Sequence, residues 1–307
     1  MAVLLFKQLA RVLAVAWGAA TFGFFLLLLV PGDPLAASWG RPIDPQRRAV
    51  WRAQLELDQP VLVRYTLYLE RLARGDLGRS LTTREPVATA LLRRAAPTAQ
   101  LVAAAFLLAL GLGLALGAGA AFHPGGPLDR ALPLLSALLL AVPSFLAAYL
   151  LLLWFSVRLG WAPISGYVAG DLSYLVLPAL ALALRPIALV ARTARREVRT
   201  ALELDAGRAA RARGCRGLRL LLQYGLAPAA VPLLEVAGAV VSSLLAGTYF
   251  VEFVFGWPGL GQWTLRAVES LDIFAIQGAV LATAVSSAAL HAGLSLAASG
   301  LDPRRRP

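Results

Sequence analysis

Five stretches of this chain run without one charged side chain: residues 12–30, 95–122, 131–157, 236–251 and 273–301. A sixth, 172–191, is interrupted only by Arg185. Each is long enough, or nearly so, to cross a hydrocarbon core roughly 30 Å thick. Lipid offers no partner for a bare backbone N–H or C=O, so segments of this length must satisfy their own hydrogen bonds as helices. The expected fold class is therefore all-α and polytopic, with six transmembrane helices. Composition agrees: 59% of the residues are hydrophobic and 15% charged, and the mean hydropathy is +0.70. Soluble domains run at about 45–50% apolar and about 25% charged.

The net charge of +12 comes from 29 basic against 17 acidic residues. In so apolar a chain this charge belongs to loops at the headgroup level, and no nucleic-acid partner is expected. Lys7 and Arg11 precede the first run, which ends at Pro31 without a small-residue cleavage site, so a retained span fits better than a signal peptide. The positive flank puts the N-terminus in the cytoplasm. Alternation then gives an N-terminal span over 1–30, an extracytoplasmic segment over 31–94 and a membrane core over 95–300. The core spans fall at about 95–122, 131–157, 172–191, 232–251 and 273–299, with a cytoplasmic loop at 192–232 and a cytoplasmic tail at 301–307. The loop carries nine arginines against Glu197, Glu203 and Asp205, and the tail carries Arg304, Arg305 and Arg306, as positive-inside requires. The segment 31–94 also holds arginines, but a loop of that length translocates largely regardless of charge. Within it, residues 61–72 have amphipathic helical spacing.

No catalytic constellation is visible. The single lysine, Lys7, sits in the N-terminal tail, and there is no phosphate-binding Gly-x-x-x-x-Gly-Lys-Ser/Thr loop, so the chain has no ATPase site of its own. Gly-x-Ser-x-Gly and His-Glu-x-x-His are absent. One cysteine, Cys215, and two histidines, His123 and His291, make a metal centre an unsuitable reading. His123 is expected at an interface, His291 as a satisfied span residue and Cys215 as a packing residue. Gly111, Gly113 and Gly117 sit mid-span at spacings that let helix backbones approach, within one subunit or between two. Pro133, Pro143, Pro178 and Pro186 mark expected kinks in the third and fourth spans.

The segment 205–214, Asp-Ala-Gly-Arg-Ala-Ala-Arg-Ala-Arg-Gly, stands apart from all this. Ala206, Ala209, Ala210 and Arg213 recur at helical spacing, leaving one face nearly bare. Asp205 and Arg208 are placed to pair, and Gly214 is placed to end the helix. Such a helix suits either a docking surface for another protein or a basic surface lying on anionic lipid.

Asp205-x-x-Arg208-x-Ala210-Arg211-Ala212-Arg213-Gly214, followed by Pro232, resembles the coupling loop of ATP-binding-cassette importer permeases, and more narrowly their oligopeptide, dipeptide and nickel branch. Further matches follow in order along the chain: Pro31-Gly32-Asp33-Pro34, Leu57-Asp58-Gln59-Pro60 and Gly75-Asp76-Leu77-Gly78-x-Ser80. Glu252-x-Val254-Phe255-x-x-Pro258-Gly259-Leu260-Gly261 and Asp302-Pro303-Arg304 complete the set. The resemblance implies the type I importer permease fold, with Asp205, Arg208, Ala209, Ala210, Arg211, Arg213 and Gly214 forming the ATPase-coupling helix. It also implies a second, similar permease, two ATPase subunits that bind the ATP and Mg, and an extracytoplasmic solute-binding protein, all at a prokaryotic cell membrane. Peptides or similar small solutes, nickel chelates among them, are the implied cargo. The sequence departs from the pattern at Ala206, where an aromatic is common, at Ala209 in place of Thr, at Arg213 in place of Lys, and at Cys215, Tyr224 and Pro228.

Two further places are candidates for a pathway or gate. Arg185 is an ionisable residue within a span, which is costly unless it faces a cavity or partner or snorkels to the interface. Glu252, Phe255, Pro258, Gly259 and Gly261 form a loop that the resemblance puts at the extracytoplasmic mouth, either as a gate or as a plain turn. Trp257 and Trp263 suit an interfacial belt. The competing function, an ATP-independent secondary transporter or channel, would call for coupling-ion carboxylates inside the spans, whereas the acidic residues lie at span edges or outside.

Overall fold

The computed structural model of the chain describes residues 2–28 and 59–301. The Pro31–Pro34 and Leu57-Asp58 motifs and the Asp302-Pro303-Arg304 tail lie outside the described residues. Within them the fold is all-α. The helices are α1 (Ala2–Leu28), α2 (Val61–Ala73), α3 (Val87–Phe122), α4 (Pro127–Ala141), α5 (Ser144–Leu151), α6 (Leu172–Glu203), α7 (Asp205–Ala212), α8 (Gly217–Leu220), α9 (Ala227–Phe255), α10 (Leu260–Glu269) and α11 (Ile273–Leu301). Five of the described helical runs are long and apolar enough to cross a membrane, and a sixth crossing exists if α4 and α5 together form one span.

In that pair the kink expected in the third span is a full break. The helix breaks at Val142-Pro143, and its halves meet at 97°. Pro143 has no N–H to continue the ladder, and it biases Val142 to the extended conformation it adopts. α5 then runs into a π-helical turn at Leu152–Arg158. By contrast, Pro133, Pro178 and Pro186 sit inside continuous helices.

α3 and α6 form the most extensive helix pair. Their seam is small: Ala105, Ala109, Ala179 and Ala183 are all buried. A Cβ on Gly113 would come within 2.7 Å of the Val190 side chain, and one on Gly117 would strike the Ala191 carbonyl. The close packing allowed by these glycines is thus within one subunit, while Gly111 faces open space. Residues 113 and 117 meet 190 and 191–194 in ascending order, so α3 and α6 are parallel. The chain between them must return across the layer, which makes α4 and α5 together a single broken crossing. α9 runs the other way, bringing Glu252 to Thr98. α1 and α11 are antiparallel, with Gly23 near Val280 and Gln8 donating to Ser295.

The helices also outrun the expected loops. α6 continues to Glu203, so much of the expected cytoplasmic loop at 192–232 is helix, and a π-helical turn at Leu221–Leu226 joins α8 to α9. α6 begins at an N-cap, Asp171, whose side chain accepts from the Ser173 N–H. The Ser173 hydroxyl and N–H hold the Asp171 carboxyl below its usual range. α2 realises the amphipathic segment and rests on the end of α1, with Phe24 stacked on Tyr68 and Thr21 hydrogen-bonded to Tyr65.

The seam sets a direct test. Gly117→Val should lower stability by about 3 kcal/mol or more through overpacking, read as a fall in the melting midpoint of the solubilised protein. Gly111→Ala should leave the midpoint unchanged, and equal effects at both sites would contradict the packing.

Candidate functional site

The first candidate region begins where α6 leaves the bundle. Leu204 turns the chain, and α7 folds back against the end of α6. Gly207 makes this possible, since a Cβ there would lie 2.6 Å from the Leu202 carbonyl oxygen. Ala210 is buried with Val198, Leu202 and Leu220, and the Arg211 guanidinium donates to the same Leu202 carbonyl at 3.0 Å. A cation at a helix C-terminus also complements the dipole. The end of α7 is a Schellman turn: Cys215 N–H donates to Ala210 C=O and Gly214 N–H to Arg211 C=O, with Gly214 at φ +82°. Cys215 is half-buried and packs on the same cluster as Ala210.

This divides the expected bare face. Ala210 points inward and is an anchor of α7, while Asp205, Ala206, Arg208, Ala209, Ala212 and Arg213 are exposed. A helix this short must keep one stripe for its own anchoring, and Gly207 and Ala210, three apart, take it. Asp205 and Arg208 form no ion pair with each other among the described residues. The sequence reading passed over Gly207; a glycine inside an otherwise helical run was the available signal. It also passed over Asp129, which accepts from Gly125 N–H and forms an ion pair with Arg195, tying the start of α4 to the emerging part of α6.

The second region is at the opposite end of the bundle. Glu252, 0% exposed, lies in the last turn of α9 rather than in a loop. Thr98 donates to it at 2.6 Å and Gln262 N–H at 3.0 Å, while the Thr98 hydroxyl accepts from Leu260 N–H at 2.8 Å. The carboxylate therefore caps the N-terminus of α10 and ties it to α3. Gly259 leaves room for the carboxylate, and a Cβ on Gly261 would come within 2.6 Å of Tyr249 Cα. Gly256 at φ +64° closes α9, with Trp257 N–H donating to Glu252 C=O. Phe255 is buried and Pro258 exposed.

Trp257 and Trp263 do not form an interfacial belt. Trp257 is 1% exposed, donates from its indole to Pro97 C=O and stands edge-on to Tyr167, and Trp263 is buried under Arg94. A second carboxylate, Asp272, accepts from Ser80 at 2.5 Å, from Thr82 N–H and from Ala275 N–H, capping α11 and fastening the Gly75–Ser80 motif to it. Arg185 is exposed on α6 and has no ion-pair or hydrogen-bond partner among the described residues. The structure therefore does not bring Arg185 together with the Glu252–Gly261 group. His291, expected to be satisfied in its span, is exposed to a groove.

An all-helical bundle with helices long and apolar enough to cross a membrane, and a short helix clamped to the end of its central one, defines a polytopic membrane protein. Residues 111–307 match the model of the binding-protein-dependent transport system inner membrane component, and residues 1–102 match that family's N-terminal membrane component. The chain belongs to this family of importer permeases. It is 32% identical to the di/tripeptide transport system permease protein DppB of Pseudomonas aeruginosa (strain UCBPP-PA14), over 91% of each chain. It is 33% identical to a putative peptide transport system permease protein of Brucella abortus (strain 2308), over 100% of this chain and 99% of that one. A putative peptide permease protein of Brucella suis biovar 1 (strain 1330) is 35% identical over 92% of each.

The Glu252 ring yields a prediction. Thr98→Val keeps the shape but orphans Leu260 N–H and removes a donor from Glu252, costing about 2 kcal/mol. Thr98→Ser should restore the melting midpoint of the solubilised protein. A Val variant as stable as the parent would contradict the ring.

Proposed function

We propose that this chain is the permease subunit of an ATP-driven importer of peptides, receiving them from an extracytoplasmic solute-binding protein. A second permease completes the pathway, and two ATPase subunits, which hold the ATP and Mg, engage α7. The observation that carries the reading is mechanical. α6 has 32 residues, about 48 Å at 1.5 Å per residue, so it crosses the bilayer and protrudes beyond it. α7 is clamped to the protruding end by Gly207, Ala210 and Arg211, and a push on α7 is therefore delivered to the central helix of the bundle. Peptide cargo is supported by the names of the relatives.

The end of the bundle that carries α7 also carries the start of α1, the α3–α4 turn and the end of α11. Lys7, Arg11 and the arginines of 192–219 gather there, which supports a cytoplasmic placement of that end and of both termini. Arg185, exposed within a span, lies on the pathway at the seam with the second permease, where an anionic group of the cargo meets it. The Glu252–Gly261 group frames the outer mouth as a fixed joint, since its polar groups are already paired with one another.

In the importer reconstituted with its partner subunits, Ala209→Trp should reduce ATP-driven uptake on the order of ten-fold while the chain still inserts and ATP is still hydrolysed. Uptake at the parental rate, or uptake that survives a block of ATP hydrolysis, would contradict the reading. In the same assay Arg185→Gln should slow uptake of acidic peptides more than neutral ones, and an equal effect on both removes Arg185 from the pathway.

A further inference from the structure

α4 is held on the bundle by very little. Of its 15 residues only Asp129, Leu132 and Ser136 are buried, one inward stripe at helical spacing. Leu132 clusters with Ala120 of α3 and Ala191 of α6. The Ser136 hydroxyl has no hydrogen-bond partner among the described residues, so it adds no polar tie. Asp129 does the opposite. One of its carboxylate oxygens accepts from Gly125 N–H at 2.8 Å, and the other accepts from Arg195 Nε–H in an ion pair. The Asp129 side chain is 8% exposed and that of Arg195 31%, so losing either partner strands a charge that water reaches poorly.

The covalent connection cannot do the same work. Residues 123–126 join α3 to α4, with Gly125 at φ +75° and Gly126 N–H donating to the His123 carbonyl. Two glycines in four residues fix where α4 begins but leave its direction soft. The ion pair sets that direction from α6. Arg195 lies one turn before Val198, which is buried with Ala210 of α7. At its far end α4 stops at Val142, and α5 leaves at 97° to settle between α6 and α9. There a Cβ on Gly247 would come within 2.6 Å of Leu182 and 3.9 Å of the Ser144 hydroxyl. Pro186 stands in α6 between the Leu182 and Arg195 levels and leaves the Leu182 carbonyl without its usual donor. α4 is therefore about 22 Å of helix, tied to the pushed end of α6 and joined through an unwound residue to α5.

We propose that Asp129 and Arg195 are positioning residues of the transport step, their ion pair making α4 follow the end of α6 when α7 is pushed. The inference rests on the reading of α7 given above. The swing is taken up at Val142-Pro143, since hinge motion concentrates in a few residues at element ends. α5 stays on α9 and on the part of α6 before Pro186, and the angle between α4 and α5 changes.

The test measures spin-label distances in the assembled importer, in a Cys215→Ala background. Arg130→Cys with Thr200→Cys reports α4 against α6, and Leu134→Cys with Leu150→Cys reports α4 against α5; all four positions are exposed. Between the nucleotide-free and ATP-bound states the 134–150 distance should change and the 130–200 distance should not. Asp129→Asn and Arg195→Gln should each reverse that pattern and lower the peptide taken up per ATP hydrolysed about five-fold or more. A short bifunctional linker joining Asp129→Cys to Arg195→Cys should restore uptake, because the tie and not the carboxylate is what transport requires. A 134–150 distance that stays fixed, a 130–200 distance that changes in the parent, uptake per ATP unaltered in the folded variants, or a linker that fails to rescue would each overturn the proposal. The parental distances decide it even if neither charge variant folds. Crosslinking of Ala209→Cys to an ATPase subunit separates the two failures: a nucleotide-dependent link with no movement of α4 against α5 overturns this inference alone, and no link overturns the reading of α7 with it.

Discussion

Lipid gives helices no hydrophobic drive to pack on one another, so the approach of α3 to α6 rests on close backbone contact at Gly113 and Gly117. Side chains at either glycine would hold the helices apart, and the alanines along the seam would lose their contacts. With α3 fixed on one side, α6 becomes the column against which α4, α5 and α9 also lie. Its parallel course with α3 forces the intervening α4–α5 pair to cross once with a break. The sidedness of the whole bundle follows from that one seam.

Polar groups then finish the two ends of the column differently. At one end Glu252 and Asp272 are buried acids whose partners are backbone N–H groups and the hydroxyls of Thr98 and Ser80. Buried networks of this kind rigidify only when each member is satisfied, and in both the named donors converge on the carboxylates. At the other end the partners are fewer. α7 is held by one buried alanine, one glycine contact and one arginine, and the remaining face is left exposed. A rigid closure at one end and a clamped but open helix at the other suit a part that is pushed from one side.

The spans, their order and the amphipathic helix at 61–72 were legible because each follows from a run length or a period. The broken third span was half legible: Pro143 marked the place, but not that Val142 would leave the helix altogether. The short helix that follows α6 and the Gly214 turn that ends it were legible from composition and spacing. Which alanine faces inward was not, because that depends on where Leu204 turns the chain and on the Leu202 carbonyl beneath Gly207. Trp257 and Trp263 misled because tryptophan near a span end is usual at interfaces, and only the tertiary contacts with Pro97 and Arg94 draw them inside. Glu252 could have been flagged as structural, being an acid in the last turn of an apolar helix six residues before the Pro258-Gly259 turn.

The central claim is that α7 receives the energy of ATP through its exposed stripe while its buried stripe holds it to α6. Site-specific crosslinking in a Cys215→Ala background tests this directly, with Ala209→Cys and Ala210→Cys compared in the assembled importer. Ala209→Cys should link to an ATPase subunit, with a yield that changes between nucleotide-free and ATP-bound states, and Ala210→Cys should not link. Equal linking at both positions, or none at Ala209→Cys in either state, would contradict the account.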